Sequence, residues 1–354
     1  MGEFPTSIEE VTVGWLDESL KGSGGGGRVT GFTSERIGEG VGLLGKLDRI
    51  TVEWEGAGPD APSSVVGKFA TDNAEALDVV KTFNFYEKEV NFYRTMADRT
   101  LTRTPACHAA HYDGDAETFV LLLEDASSGE MGDQVAGATA SQIEATAEEL
   151  VKLHASWWGN AEVGASEWVN HLSHPIYTQG IPMALDGYHP ISSQILDMPA
   201  WYDRYRASIG RLMDEMAQMP WTLCHGDARL DNLFFDVGPD PLTVIDWQLV
   251  LQNAGISDIA YFMSQSVPIE RRRDMESDLV THYRDRLVEL GVDAPTRDEL
   301  WDAYRVFTMF CTVFPVVGGG TVDPDDERGV ALARTMMDRA VTASEDLGAV
   351  SLLD

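Results

Sequence analysis

The chain has 354 residues, 44% of them hydrophobic, which is enough for two lobes with one shared active site or for two to three small domains. Its 26 basic and 58 acidic residues give a formal net charge of −32, which argues against nucleic acids and anionic membranes as partners. The same acidity would attract a cationic substrate, although it is also explained as a solubility trait that the proteins of the host share.

The cysteines and the apolar stretches indicate in which cellular compartment the protein is expected. Cys107, Cys224 and Cys311 are an odd, scattered set without metal-ligand spacing, which favours a reducing cytoplasm over a disulfide framework. The first residues lack the basic region and apolar core of a secretory signal, and the longest apolar stretch, 306–317, is too short for a bilayer. We therefore expect a soluble, cytoplasmic protein, and no obligate protein partner is evident.

The first part of the chain is predicted to be a small sheet with few helices. A capping-box pattern at 6–9 begins an amphipathic helix over 7–21, and a second helix is expected over 74–97. Short apolar or β-branched runs bounded by turn residues predict the strands. These strands are expected at 28–37, 43–54 (as one or two strands), 64–69, 106–112 and 118–123.

Between the first two strands lie Gly38, Gly40 and Gly42. Glycine allows backbone amides to approach phosphates closely, so these residues are candidates for a nucleotide loop, although alternating glycines equally mark a tight hairpin. Lys68 lies near the end of the third predicted strand, 64–69. Kinases place at such a position the lysine that holds the α- and β-phosphates. Such a lysine needs a helix glutamate to orient it, and both Glu87 and Glu89 are available.

The second part of the chain is predicted to be mainly helical. A capping-box pattern at 141–144 begins one helix, another begins at 255, and further helices are expected at 268–291, 296–313 and 325–346. His108, His111 and His154 are interpreted as structural. The weakly periodic segment 165–205 is rich in aromatic residues and histidine, which suits either an acceptor-binding insert or simple core packing.

Within this helical part, residues 221–248 carry the chemistry. The apolar runs 221–224 and 233–235 bracket a polar loop that contains Asp227 and, five residues later, Asn232. This is the spacing of the kinase loop in which the aspartate takes the proton of the attacking hydroxyl and the asparagine holds Mg²⁺. Asp246 ends a third apolar run and provides a second metal-binding carboxylate. The alternative is that both aspartates are turn residues after buried strands.

The ordered set His225-Gly226-Asp227, Asn232 and Asp246-Trp247-Gln248 resembles the aminoglycoside phosphotransferase and choline kinase superfamily. Cys-His-Gly-Asp-Ala-Arg-Leu-Asp-Asn and Ile-Asp-Trp-Gln are most similar to its ecdysteroid kinase-like branch. The resemblance implies a bilobal, protein-kinase-like α+β fold. It also implies an N-terminal nucleotide-binding lobe over 1–125, with a small β-sheet, and a larger, mainly helical C-terminal catalytic and acceptor-binding lobe over 126–354.

The resemblance also implies residue roles. Asp227 would be the catalytic base, Asn232 and Asp246 would hold metal, and Lys68 would anchor phosphates. Glu89 matches the family glutamate followed by an aromatic pair, so it is preferred over Glu87 as the partner of Lys68.

Three further positions take their expected roles from the resemblance alone. The segment around Glu124 and Ala126 would bind the adenine edge through its backbone. Asp258 would brace the catalytic loop by hydrogen bonds to backbone near His225.

The expected activity is transfer of the γ-phosphate of ATP, with Mg²⁺, to a hydroxyl group of a small molecule. An apolar alcohol is slightly favoured as the acceptor, because the motifs and the aromatic segment outweigh the acidic charge. An aminoglycoside, a choline-like amine and a hydroxyacyl thioester remain alternatives. An inactive nucleotide-binding partner protein is a different class of function, and the intact set of motif residues argues against it.

Overall fold

The computed structural model describes residues 4–38, 44–236 and 242–354. The chain divides into two compact units. The first comprises Met1–Arg99, Thr104–Ser128 and Asp246–Leu249, and the second comprises Thr100–Arg103, Gly129–Ile245 and Val250–Asp354. The first unit contains a small antiparallel sheet and the second is mostly helical, so the predicted α+β class is confirmed.

The first unit is built on a five-stranded antiparallel sheet with the strand order β1-β2-β3-β5-β4. Apolar side chains from this sheet and from the N-terminal helix, among them Leu16, Ile50 and Phe69, form its core. The elements are α1 (Val13–Ser19), β1 (Arg28–Ile37), β2 (Gly45–Glu55), β3 (Ser64–Ala70), α2 (Ala74–Phe83), α3 (Phe85–Thr95), β4 (Cys107–Asp113) and β5 (Thr118–Glu124).

Two helices predicted as continuous are interrupted. The first consists of a 3₁₀ turn at Ile8–Glu10 followed by α1, because the side chain of Thr12 accepts the backbone N–H of Trp15 and begins a new helix. The second divides into α2 and α3 at Asn84, which has a φ of 56°. Asparagine tolerates this left-handed conformation better than most residues, so the chain can change direction there.

The second unit is mainly helical, with two small sheets of order β6-β8-β9 and β10-β7. Its first long helix is capped by a capping box between Thr139 and Gln142, two residues before the predicted start at 141. The elements are β6 (Glu130–Met131), α4 (Ala140–Trp157), α5 (Ala161–Gly164), α6 (Pro175–Thr178), α7 (Gly180–Ser192), α8 (Tyr202–Met216), β7 (Thr222–Cys224), β8 (Leu233–Phe235), β9 (Leu242–Val244), β10 (Leu251–Asn253), α9 (Ile256–Ser266), α10 (Ile269–Glu289), α11 (Arg297–Phe310), α12 (Val313–Thr321) and α13 (Glu327–Asp346).

The aromatic segment 165–205 contributes heavily to the interior of the second unit. Tyr177, Trp201, Tyr202 and Tyr205 are buried, and the hydroxyl of Tyr205 donates to the backbone oxygen of Phe310 at 2.9 Å. Core packing therefore accounts for these four side chains, which leaves fewer aromatic residues of this segment for an acceptor.

One stretch of the described chain, Arg297–Thr321, is long and apolar enough by composition to cross a membrane. It comprises α11 and α12, and 72% of its most apolar part is buried inside the protein. Core helices of soluble proteins have the same composition, so this stretch is weak support for a membrane span.

Candidate functional site

In the first unit, Lys68 lies on β3 with its ammonium between two carboxylates. Its Nζ is 2.8 Å from Oε1 of Glu89 on α3 and 2.9 Å from Oδ1 of Asp246. Lys68 and Glu89 are buried, with 8% and 1% of their surfaces exposed. Glu89 is thus the helix glutamate that contacts Lys68, while Glu87 is half-buried two residues earlier.

The charge of Lys68 depends on these two contacts. Burial by itself lowers the pKa of the Lys68 ammonium, but the attraction of Asp246 and Glu89 outweighs it and raises this pKa above its ordinary value. Lys68 therefore stays charged at neutral pH. A strand lysine held in this way is a fixed point charge suited to phosphate oxygens.

Asp246 is held in an uncommon backbone conformation. Its φ is 66°, in the left-handed region that non-glycine residues rarely occupy. The next residue, Trp247, stacks on Phe92 of α3 with ring centroids 4.0 Å apart, and the amide of Gln248 donates to Asp246 Oδ2 at 3.3 Å. These contacts explain why Asp246–Leu249 packs with the first unit, although 126–354 was expected to form the C-terminal lobe. Such strain is common at functional sites, which supports a role for Asp246.

The other residues predicted to contact nucleotide are three glycines after β1 and two residues at or just after the end of β5. Gly38 follows β1 and has a φ of 70°, a conformation that glycine adopts freely. Gly40 and Gly42 lie outside the described residues. Glu124 ends β5, where its backbone N–H donates to the oxygen of Ala106 at 2.8 Å, and Ala126 begins a 3₁₀ turn. Their contact with adenine stays a prediction.

The loop of residues 225–232, which carries the motif, connects β7 to β8 in the second unit. Nδ1 of His225 accepts the backbone N–H of Asp227 at 3.2 Å, which leaves Nε2 to donate to the oxygen of Ile245 at 3.0 Å. The backbone N–H of Ile245 in turn donates to the oxygen of Asn232 at 3.0 Å. His225 therefore ties the loop to the residue before Asp246, a supporting role.

The carboxylate of Asp227 has contacts on both oxygens. The Tyr261 hydroxyl on α9 donates to Oδ1 at 2.7 Å, and the Asn232 amide Nδ2 donates to Oδ2 at 3.0 Å. The Nε of Arg229 lies 3.5 Å from Oδ2. Neither Tyr261 nor Arg229 was predicted from the sequence to contact Asp227. Arg229 stands in the quoted motif, two residues after Asp227, but no local pattern relates Tyr261 to Asp227.

Asp258 on α9 holds the start of the loop 225–232 by hydrogen bonds to backbone near His225, as predicted. Its Oδ2 accepts the backbone N–H of His225 at 2.7 Å, and its Oδ1 accepts that of Gly226 at 3.0 Å. His154 Nε2 lies 3.2 Å from Oδ2, and its Nδ1 lies 2.8 Å from the hydroxyl of Tyr283. Although burial opposes the charge of Asp258, these partners lower its pKa below the ordinary value, so a buried carboxylate braces the loop.

The atoms of His154, Cys224 and Asp258 that can bind metal lie within 4.8 Å of one another. Both Asp258 oxygens already accept backbone N–H groups, and burial raises the pKa of the Cys224 thiol well above its ordinary value. A protonated thiol is a poor metal ligand. This cluster is therefore explained as the hydrogen-bonded support of the loop.

Gly255→Ala is expected to destabilise this support. A methyl group at this position would overlap the hydroxyl of Tyr283 and lie 2.8 Å from the ring of His154. Overpacking of this kind costs about 1–3 kcal/mol. Thermal unfolding should show a lower midpoint for Gly255→Ala. Gly210→Ala, in α8 with no atom within 4 Å of the added methyl group, should leave the midpoint unchanged or slightly higher. Equal midpoints for both variants would contradict the close packing at Gly255.

The donor atoms of Asn232 and Asp246 suit Mg²⁺. Asn232 uses its Nδ2 on the backbone oxygen and the carboxylate of Asp227, which leaves its Oδ1 available to a metal ion. Asp246 offers a carboxylate. Amide and carboxylate oxygens are the hard ligands that Mg²⁺ prefers.

Comparison with known proteins bears on the family and the fold. The model of the ecdysteroid kinase-like family matches residues 39–293. An uncharacterised oxidoreductase of Caenorhabditis elegans, dhs-27, is 22% identical over 349 residues, a match that covers 85% of this chain and 41% of that protein. The chain thus spans less than half the length of this relative.

Solved structures show the same fold. A candidate aminoglycoside phosphotransferase from Ralstonia eutropha superposes with a TM-score of 0.60 at 14% identity, covering 94% of this chain and 97% of the other. Choline kinase from Cryptosporidium parvum has a TM-score of 0.54 at 10% identity, covering 91% and 89%. At such low identities the likeness concerns the fold alone, and it confirms the predicted protein-kinase-like fold.

Proposed function

Because the chain belongs to the ecdysteroid kinase-like family, we propose that it transfers the γ-phosphate of ATP to a hydroxyl group of a small organic molecule. The observation that carries this proposal is the Asp227 carboxylate, which Tyr261 and Asn232 hold at the start of the catalytic loop. A second observation supports it, since Lys68 is a buried cation fixed by Glu89 and Asp246.

In the proposed reaction, the oxygen of the acceptor hydroxyl forms a bond to the γ-phosphorus. The bond from that phosphorus to the bridging oxygen of the β-phosphate breaks, and ADP leaves with its electron pair. Asp227 accepts the proton of the acceptor hydroxyl, which is the role of an aspartate base in kinase loops. The products are ADP and a phosphomonoester.

The other residues would position charge. Lys68 would hold the α- and β-phosphates of ATP, and Glu89 would orient it. Asn232 and Asp246 would hold Mg²⁺, which supplies positive charge that neutralises the phosphate oxygens. Catalysis of this type consists mainly of positioning and electrostatic stabilisation.

Two structures with this fold contain nucleotides, which supports nucleotide use here. They are LicA in complex with AMP, with a TM-score of 0.50, and the GDP complex of an aminoglycoside 2′-phosphotransferase-IIIa variant, with a TM-score of 0.52. Calorimetry with ATP and GTP would test the choice of ATP. A preference for GTP would contradict it.

We propose an apolar alcohol as the acceptor. The ring of Tyr261, whose hydroxyl reaches Asp227, is buried against the half-buried Phe314 of α12 with centroids 4.3 Å apart, so the packing next to the base is aromatic. A cationic acceptor such as an aminoglycoside or a choline-like amine is the alternative, favoured by the net charge of −32. The three free cysteines support a cytoplasmic location, and the net charge of −32 argues against nucleic acids and anionic membranes as partners.

The salt dependence of acceptor binding separates these two classes. Attraction of a cation to the −32 chain should weaken with salt, because the screening length falls from about 10 Å at 0.1 M to about 3 Å at 1 M. Binding of an apolar alcohol should hold steady or strengthen with sulfate. We expect the second behaviour.

The measurement is acceptor affinity, titrated at fixed Mg²⁺ with a non-hydrolysable ATP analogue from low to high ionic strength. Transfer of labelled γ-phosphate to a panel of hydroxyl compounds identifies the acceptor to titrate. A steep loss of affinity with salt would favour the cationic class instead. ATP binding without transfer to any compound would favour an inactive nucleotide-binding protein.

A further inference from the structure

We propose that Tyr261 is a positioning residue for phosphoryl transfer, because its hydroxyl holds Oδ1 of Asp227 and so fixes the plane of the carboxylate that accepts the proton. This inference rests on the proposed function. The helix α9 would then position the loop in two ways. Asp258 holds the backbone of the loop, and Tyr261 holds the side chain of Asp227.

The two oxygens of Asp227 have separate anchors. Tyr261 contacts Oδ1 at 2.7 Å, while Asn232 at 3.0 Å and Arg229 at 3.5 Å contact Oδ2. Rotation about the Cβ–Cγ bond of an aspartate is otherwise broad and roughly two-fold. The two oxygens turn together as one planar group, so contacts on both sides of the carboxylate hold its plane more firmly than contacts on one oxygen alone.

Tyr261 is itself rigidly placed. It is 4% exposed, and its ring packs against Phe314 with centroids 4.3 Å apart and an interplanar angle of 57°. It follows Asp258 by three residues on α9, so both side chains lie on the same face of the helix. One turn of α9 thus holds three consecutive residues of the loop, 225–227.

The hydroxyl of Tyr261 remains a donor at neutral pH. Burial and the adjacent charge of Asp227 raise the pKa of Tyr261 well above its ordinary value, so the phenol stays protonated. Other charged or titratable groups near the carboxylate include Arg229, His225 and, 3.9 Å from Arg229, Asp231. Each of these belongs to the loop, whereas Tyr261 supplies a contact from a separate helix.

The test is a double-mutant cycle with four proteins: wild type, Tyr261→Phe, Asp227→Asn and the double variant. The probe is hydrolysis of MgATP with water as the acceptor, measured as ADP release. Tyr261→Phe should lower kcat about tenfold with an unchanged KM for ATP. Misplacing a catalytic group by about 1 Å can lower the rate about 10²-fold, and the loss of one of several contacts should displace the carboxylate less than that. In the Asp227→Asn background, Tyr261→Phe should cause no further loss.

The matched control is Tyr304→Phe. Tyr304 is also buried, but its hydroxyl contacts Oε2 of Glu276, at 3.2 Å, so its removal should leave kcat unchanged. An equal loss of kcat from Tyr261→Phe in both backgrounds, or a rise in KM alone, would overturn the positioning role.

Failure of the proposed function is distinguishable from failure of this inference. Wild-type protein that shows no ATP turnover with water or with any hydroxyl compound would contradict the proposed function. The same four proteins then test the contact through thermal unfolding, where the two substitutions should be non-additive if the side chains interact. Additive shifts of the unfolding midpoint would overturn the inference regardless of activity.

Discussion

Asp227→Asn is expected to lower the rate of phosphoryl transfer by about 10²–10⁴-fold, the usual contribution of a general base, while ATP affinity stays nearly unchanged. The amide has the shape of the carboxylate, so the loop can keep its conformation, but it cannot accept the proton of the acceptor hydroxyl. Initial rates with saturating acceptor, together with calorimetric ATP affinity, measure the two quantities separately.

The control for this substitution is Asp214→Asn, which changes an exposed aspartate on α8 by the same chemistry. It should leave both the rate and the ATP affinity unchanged. Full activity of Asp227→Asn with the same acceptor would show that Asp227 is an ordinary turn residue after β7.

Asp246→Asn is expected to abolish the Mg²⁺ dependence of nucleotide binding. The substitution removes a charged oxygen ligand, and it also weakens the contact that Oδ1 of Asp246 makes with Lys68. Loss of a residue that only supports a metal ligand typically lowers metal affinity or activity about 10–100-fold. Loss of a direct ligand should therefore lower metal affinity at least as much. Calorimetry of ATP binding with Mg²⁺ and with a chelator gives the measurement.

Asp72→Asn serves as the control for Asp246→Asn, because Asp72 is 84% exposed in its side chain and pairs with Lys46 at the surface of the same unit. Its removal should leave the metal dependence intact. If Asp246→Asn bound nucleotide with the wild-type metal dependence, Asp246 would have no role in holding Mg²⁺.

Much of the fold follows from local patterns. The strand predicted at 28–37 is observed as Arg28–Ile37, and the helix predicted at 268–291 is observed as Ile269–Glu289. Alternation of side chains in strands and the apolar stripe of helices are properties of short segments. Such segments can therefore be assigned from the sequence without knowledge of their tertiary contacts. The break at Asn84 could not be predicted in this way, because no glycine or proline marks it and tertiary packing selects its left-handed conformation.

The residues of the candidate site likewise fall into those that a local motif predicts and those that only tertiary packing brings together. Asp227, Asn232 and Asp246 could be proposed from the sequence because the family motif spaces them within about twenty residues of one another. Tyr261 was not found, because its hydroxyl reaches Asp227 across 34 residues through the packing of α9 on the loop. The role of the aromatic segment 165–205 was equally ambiguous, since aromatic side chains that pack a core and those that bind a ligand are of the same types.

Phosphorus NMR of the wild-type protein with ATP, Mg²⁺ and each member of a panel of hydroxyl compounds is the most direct test of the proposed phosphoryl transfer from ATP to a hydroxyl. The panel should contain apolar alcohols, choline, an aminoglycoside and a hydroxyacyl thioester. We predict a phosphomonoester signal that grows in equal amount with ADP for at least one compound, most strongly an apolar alcohol. ATP that stays intact, or that yields only inorganic phosphate with every compound, would contradict it.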